Sequence, residues 1–92
     1  MTKPIGLLFS SNLKAKTNID VKNLHVLPGC IDTQVHFREP GLTHKEDILH
    51  GTKGAIMGGI TGIFEMPNTK PPTINRIEFE KKIALAESNS FC

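Results

Sequence analysis

The residues with the most chemistry in them lie between positions 28 and 41, in the run Pro28-Gly29-Cys30-Ile31-Asp32-Thr33-Gln34-Val35-His36-Phe37-Arg38-Glu39-Pro40-Gly41. A short apolar segment here ends in a crowd of polar side chains. If residues 30–36 are extended, side chains alternate between faces, so Asp32, Gln34 and His36 project one way and Ile31, Thr33 and Val35 the other. Polar groups set in an apolar segment need partners. A one-sided row of Asp, Gln and His therefore implies a metal, a ligand or a hydrogen-bond network.

The surrounding pattern says which elements must position that row. Arg38-Glu39-Pro40-Gly41 is loop, because Pro removes a donor and Gly permits positive φ. Thr43-His44-Lys45-Glu46 has the spacing of a capping box and predicts a helix over 44–57, with Ile48, Leu49, Thr52, Ala55 and Ile56 on one stripe. Gly51 and Gly54 in that helix suggest close packing, and Gly58-Gly59 a C-terminal cap. Residues 60–66 predict a second strand. Strand, helix, strand in this order is a right-handed βαβ unit with parallel strands. Asn68 then stands just past the end of the second strand, as Arg38 stands past the first. Lys70-Pro71-Pro72 is a stiff exit, and residues 75–88 predict a second helix, with Asn75 and Glu78 at capping positions and Ile77, Ile83, Ala84 and Ala86 facing inward. Upstream, residues 5–9 predict a short strand and residues 19–26 a half-buried strand with an irregularity near Asn23.

Several blocks occur in a fixed order: Pro28-Gly29-Cys30-Ile31-Asp32, His36-Phe37-Arg38-Glu39-Pro40-Gly41, Thr43-His44-Lys45-Glu46-Asp47, Gly58-Gly59-Ile60-Thr61 and Met66-Pro67-Asn68-Thr69-Lys70-Pro71-Pro72-Thr73. From about Ile19 to Thr73 this resembles the N-terminal part of the dihydroorotases of the amidohydrolase superfamily. The fold that the resemblance implies is α/β, a partial (β/α)8 TIM-type barrel: residues 28–92 as its first two β/α units, and residues 1–27 as the remnant of a short, incomplete β segment. A whole barrel takes roughly 250 residues, so the expectation is of an N-terminal fragment. Arg38 and Asn68 would stand at the strand edge where barrel enzymes place their chemistry.

The activity implied is zinc-dependent opening and closing of a cyclic amide, the interconversion of dihydroorotate and N-carbamoyl-L-aspartate in pyrimidine biosynthesis. By the same resemblance His36, Arg38 and Asn68 contact substrate and His36 ligates the metal. Where the family has His-x-His, this chain has Gln34-Val35-His36, so Gln34 occupies the other expected ligand position. The guanidinium of Arg38 suits two-point contact with a carboxylate, and the Asn68 amide both donates and accepts. Residue type alone favours a plainer place for Arg38, a loop ion pair with Glu39 or Glu65. The proton shuttle and remaining ligands belong to later barrel strands in the family, so no catalytic residue is assigned here and the chain is expected to be inactive alone. The alternative is a non-catalytic remnant or partner subunit that associates with another chain or with itself.

Other classes are disfavoured. The 11 basic and 9 acidic residues are scattered, with no Trp or Tyr among the aromatics, so neither a basic patch nor a stacking platform for nucleic acid is evident. The opening apolar run is too brief for a secretory signal or a membrane span, and two cysteines sixty-two positions apart form no disulfide framework; a reduced, cytoplasmic protein is expected. His25, His44 and His50 read as surface or structural, the last two on different faces of the first helix. The glycines match no phosphate or dinucleotide loop.

Overall fold

The structure is a computed structural model that describes residues 16–92. Four elements follow one another: β1 (Cys30–Val35), α1 (Ile48–Met57), β2 (Ile60–Glu65) and α2 (Arg76–Asn89). β1 and β2 pair in parallel, as a strand-helix-strand connection requires. Their register is Cys30 with Ile60, Ile31 with Gly62, Asp32 with Ile63 and Val35 with Glu65. Thr61 is thus an extra residue on β2, and Thr33 and Gln34 together stand opposite Phe64. The regular extended pairing expected along 30–36 is interrupted between Asp32 and Val35, where β1 carries one residue more than β2.

α1 starts later than the capping-box pattern predicts. Asp47 is the N-cap, its Oδ1 accepting the His50 N–H at 2.7 Å. Thr43 and Glu46 form no capping box; instead the Lys45 N–H closes a turn onto the Leu42 carbonyl at 2.9 Å, and His44 falls in that turn, outside the helix. Of the predicted stripe, Ile48 and Thr52 are buried, Ala55 is half-buried, and Leu49 and Ile56 are exposed. The Thr52 hydroxyl donates to the Ile48 carbonyl at 2.6 Å and accepts the Phe91 N–H at 3.1 Å, which ties the C-terminal residues to α1. Gly51 is a close approach: a Cβ there would lie 2.4 Å from the Phe37 ring. Gly54 instead faces open space.

α2 begins as predicted, with Asn75 Oδ1 accepting the Glu78 N–H at 3.0 Å. Its inward face differs from the expectation. Lys82 is the buried residue, whereas Ile77 and Ile83 are 65% and 43% exposed and Ala84 is exposed too.

Residues 16–29 hold no strand. The expected strand over 19–26 is replaced by turns: Asp20 Oδ1 accepts the Lys22 N–H at 2.8 Å, and the Leu24 N–H reaches the Val21 carbonyl. A strand needs a neighbour to complete its hydrogen bonds, and among the described residues β1 pairs only with β2. The strand expected at 5–9 lies outside the described residues. The buried apolar core is small, centred on Val35 and Ile48, and leaves Ile31 and Phe64 at 62% and 60% exposure.

Candidate functional site

The C-terminal ends of the two strands are fastened by the Met66 N–H, which donates to the Val35 carbonyl at 2.9 Å. His36 follows Val35 directly, and Asn68 stands two residues past Met66. The structure brings them into contact, with His36 Nδ1 2.8 Å from Asn68 Oδ1. An amide oxygen only accepts, so Nδ1 carries the proton in this contact, and in the neutral imidazole Nε2 is the nitrogen with the lone pair. Thr69 is buried beside Asn68, its hydroxyl donating to the Pro71 carbonyl at 2.9 Å, and the Pro67 carbonyl accepts from both the Thr69 and Thr73 N–H groups. Asn68 is therefore displayed on a tightly bonded loop.

The two loops also meet through their backbones. The Lys70 N–H donates to the Pro40 carbonyl at 3.0 Å, and Gly41, at φ +85°, approaches so closely that a Cβ would lie 1.8 Å from the Lys70 carbonyl oxygen. Arg38 sits at φ +65°, a left-handed conformation uncommon for a residue with a side chain, and its carbonyl accepts from the Leu42 N–H at 3.0 Å. The ion pair that residue type favoured for Arg38 does not form. Glu39 accepts the Ile48 N–H at 2.9 Å, and Glu65 is bonded to Phe37 and Lys82. Among the described residues the guanidinium of Arg38 has no ionic partner.

Sequence reasoning missed the pair beneath this site. Lys82 Nζ lies 3.1 Å from Glu65 Oε1 and 2.8 Å from the Met66 carbonyl, and both side chains are largely buried. The other Glu65 oxygen accepts the Phe37 N–H at 3.0 Å. A signal was present in the spacing, because Phe79, Lys82, Ile83 and Ala86 fall on one helical stripe. These four line a cavity of about 420 Å³ between the helices and β2. That cavity does not reach His36, Arg38 or Asn68, so it is a packing space behind the site.

A profile described as the amidohydrolase family matches residues 25–87, which takes in both strands and nearly all of α2. The chain belongs to the amidohydrolase family. It is 49% identical over 78 residues to a dihydroorotase of Methanothermobacter thermautotrophicus, covering 85% of this chain and 18% of that protein. It is 42% identical over 80 residues to a dihydroorotase of Thermococcus kodakarensis, covering 87% of this chain and 20% of that one. A dihydroorotase of Trichlorobacter lovleyi is 41% identical over all 92 residues, 21% of its own length. The chain thus spans about a fifth of the curated relatives it matches. For this amidohydrolase family member, the two parallel strands agree with the α/β class expected from sequence.

Metal, which the family implies, is not matched by the residues at hand. Zinc takes three or four ligands from Cys, His, Asp and Glu. Among the described residues no three such groups come together. His36 offers one nitrogen, and Gln34 is a neutral amide on an exposed stretch of β1 whose side chain is not bonded to His36. The described residues alone therefore do not make a metal centre.

Proposed function

We propose that this chain carries the substrate-facing start of a dihydroorotase-type barrel, residues 28–92 being its first two β/α units and residues 1–27 the remnant of the β segment before them. In this reading His36, Arg38 and Asn68 bind the ligand, dihydroorotate or N-carbamoyl-L-aspartate, in a zinc-dependent cyclic amidohydrolase reaction of pyrimidine biosynthesis in the cytoplasm. The observation that carries it is the 2.8 Å contact between His36 and Asn68 just past the ends of the two strands, with Arg38, which has no ionic partner among the described residues, two positions beyond His36. The fork of Arg38 takes a ligand carboxylate at two points, and Asn68 can serve an amide. No group among these three is placed as the proton shuttle. Residues 16–92 alone therefore bind but do not turn over substrate.

A second reading, a non-catalytic subunit that associates with another chain, is favoured by Gln34 at an expected ligand position and by exposed Ile31 and Phe64. One experiment addresses both. Titrating the labelled chain with N-carbamoyl-L-aspartate by NMR is expected to move the signals of Arg38, Asn68 and His36, and Arg38→Ala should abolish the response. Unmoved signals, or a response that survives Arg38→Ala, would leave the non-catalytic reading standing. Turnover of dihydroorotate by the chain alone would overturn the assignment of inactivity.

A further inference from the structure

Lys82 lies on α2, away from the cluster of motif residues, yet its ammonium group reaches the ends of both strands. It bonds the Glu65 carboxylate at 3.1 Å and the Met66 carbonyl at 2.8 Å, and through the other oxygen of Glu65 it is linked to the Phe37 N–H. Phe37 stands between His36 and Arg38, and Met66 two residues before Asn68. A single buried cation thus fixes the backbone of one strand end against the other.

Stability alone is a poor reason for this arrangement. Taking a carboxylate and an ammonium group out of water costs about as much as their attraction returns, so an apolar pair of the same volume would serve a core equally well. What the ion pair supplies instead is direction, since charge-assisted hydrogen bonds are short and oriented. The left-handed backbone at Arg38 is a conformation that persists only where its surroundings hold it, and the Phe37 N–H bond to Glu65 is one of the restraints immediately before it.

We infer that Lys82 and Glu65 are positioning residues for the ligand site, setting the separation of His36 and Arg38 from Asn68. The inference rests on the ligand-binding reading above, and the test separates the two. The full chain, labelled with nitrogen-15, is compared with Lys82→Met, Glu65→Gln and Lys82→Arg. Helix content by circular dichroism reports folding. Hydrogen exchange at the Phe37 amide and the side-chain signals of His36 and Asn68 report local geometry, and titration with N-carbamoyl-L-aspartate reports binding.

In a folded Lys82→Met chain the Phe37 amide should exchange faster, the His36 and Asn68 signals should move, and ligand affinity should fall about tenfold, within the range by which residues that touch neither ligand modulate binding. Lys82→Arg should recover most of it. If Lys82→Met does not fold, Glu65→Gln, which keeps shape and an acceptor, takes its place; if both unfold, the pair is a folding element and the inference falls. It falls equally if a folded variant leaves the Phe37, His36 and Asn68 signals unmoved. If the unsubstituted chain binds no ligand, the ligand-binding reading fails, and the exchange and side-chain signals alone decide whether the pair sets the strand ends.

Discussion

The contact with Asn68 engages Nδ1–H of His36, so Nε2 is the nitrogen that the neutral ring would offer to a metal. One imidazole is still far from a metal centre, because a tight zinc site needs at least three protein ligands. The purified chain should therefore retain clearly less than one zinc per molecule after dialysis. Elemental analysis is the measurement, and stoichiometric zinc would refute it. Gln34→His adds a second imidazole but not a third ligand, so it should raise the zinc content only slightly. At this scale the motifs picked out His36, Arg38 and Asn68, and the structure brings two of them, His36 and Asn68, into contact. The backbone of Arg38 was not legible, since a left-handed conformation at a residue other than glycine leaves no mark in residue type. Lys82 was passed over although it shares a stripe with Phe79, Ile83 and Ala86, because a lysine beside Glu78 and Lys81 reads as solvated until Glu65 is seen opposite it.

The two helices are capped by different chemistry, and they should respond differently to acid. The Asp47 carboxyl is held below its ordinary value of 3.8 first by the His50 N–H that it accepts, then by the His50 ring. A depressed carboxylate contributes stability that is fully present above its unfolded value and is lost as pH falls through its folded one. Asn75, capping α2, has no charge to lose. Helix content should thus drop in acid more steeply in the native chain than in Asp47→Asn, with the difference arising below about pH 4. Matched circular dichroism titrations check this, and superimposable curves would count against it. The order and type of the elements were readable because 44–57 carries apolar residues at helical spacing, 75–88 opens on the Asn75 cap, and 30–36 and 60–66 are short apolar runs. The start of α1 was misread for a local reason. Thr43 and Glu46 have capping spacing, but Asp47 bonds the His50 amide and Glu39 reaches the Ile48 N–H, leaving the earlier residues to a turn. The strand at 19–26 failed for a non-local one, since an amphipathic pattern does not supply the neighbour that a strand must pair with.

In the whole molecule the imbalance is between apolar surface and cover. Parallel strands are normally buried on both faces, yet Ile31 and Phe64 are more than half exposed here, and among the described residues each strand has a free outer edge. Burying one such side chain is worth about 1.5 to 3 kcal/mol, so two or three left uncovered remove an amount comparable with a small domain's whole stability of about 5 kcal/mol. The chain by itself should be oligomeric, partner-bound or only marginally stable. Sedimentation at low micromolar concentration with a thermal melt tests this; a monomer melting sharply above about 60 °C, beyond the mesophile norm, would refute it.

The backbone contact between Gly41 and Lys70 reaches further than the site. A protease must draw an extended stretch of chain into its cleft, and a loop held at both ends cannot be drawn in. The stretch from His36 to Asp47 has no regular element, but its carbonyls and amides are bonded to Lys70, Leu42 and α1. Residues 16–29 are exposed throughout, and among the described residues the bonds of 16–27 are local, Lys22 to Asp20 and Leu24 to Val21. Under brief trypsin treatment Lys16 and Lys22 should therefore be cut well before Arg38, by a margin larger than the slowing that Glu39 after Arg38 causes in the unfolded chain. Mass spectrometry of the early fragments gives the order. Arg38 cut first would mean that the loop is not fastened as described, and cuts confined to 16–22 would yield a trimmed chain that keeps the whole ligand-facing edge.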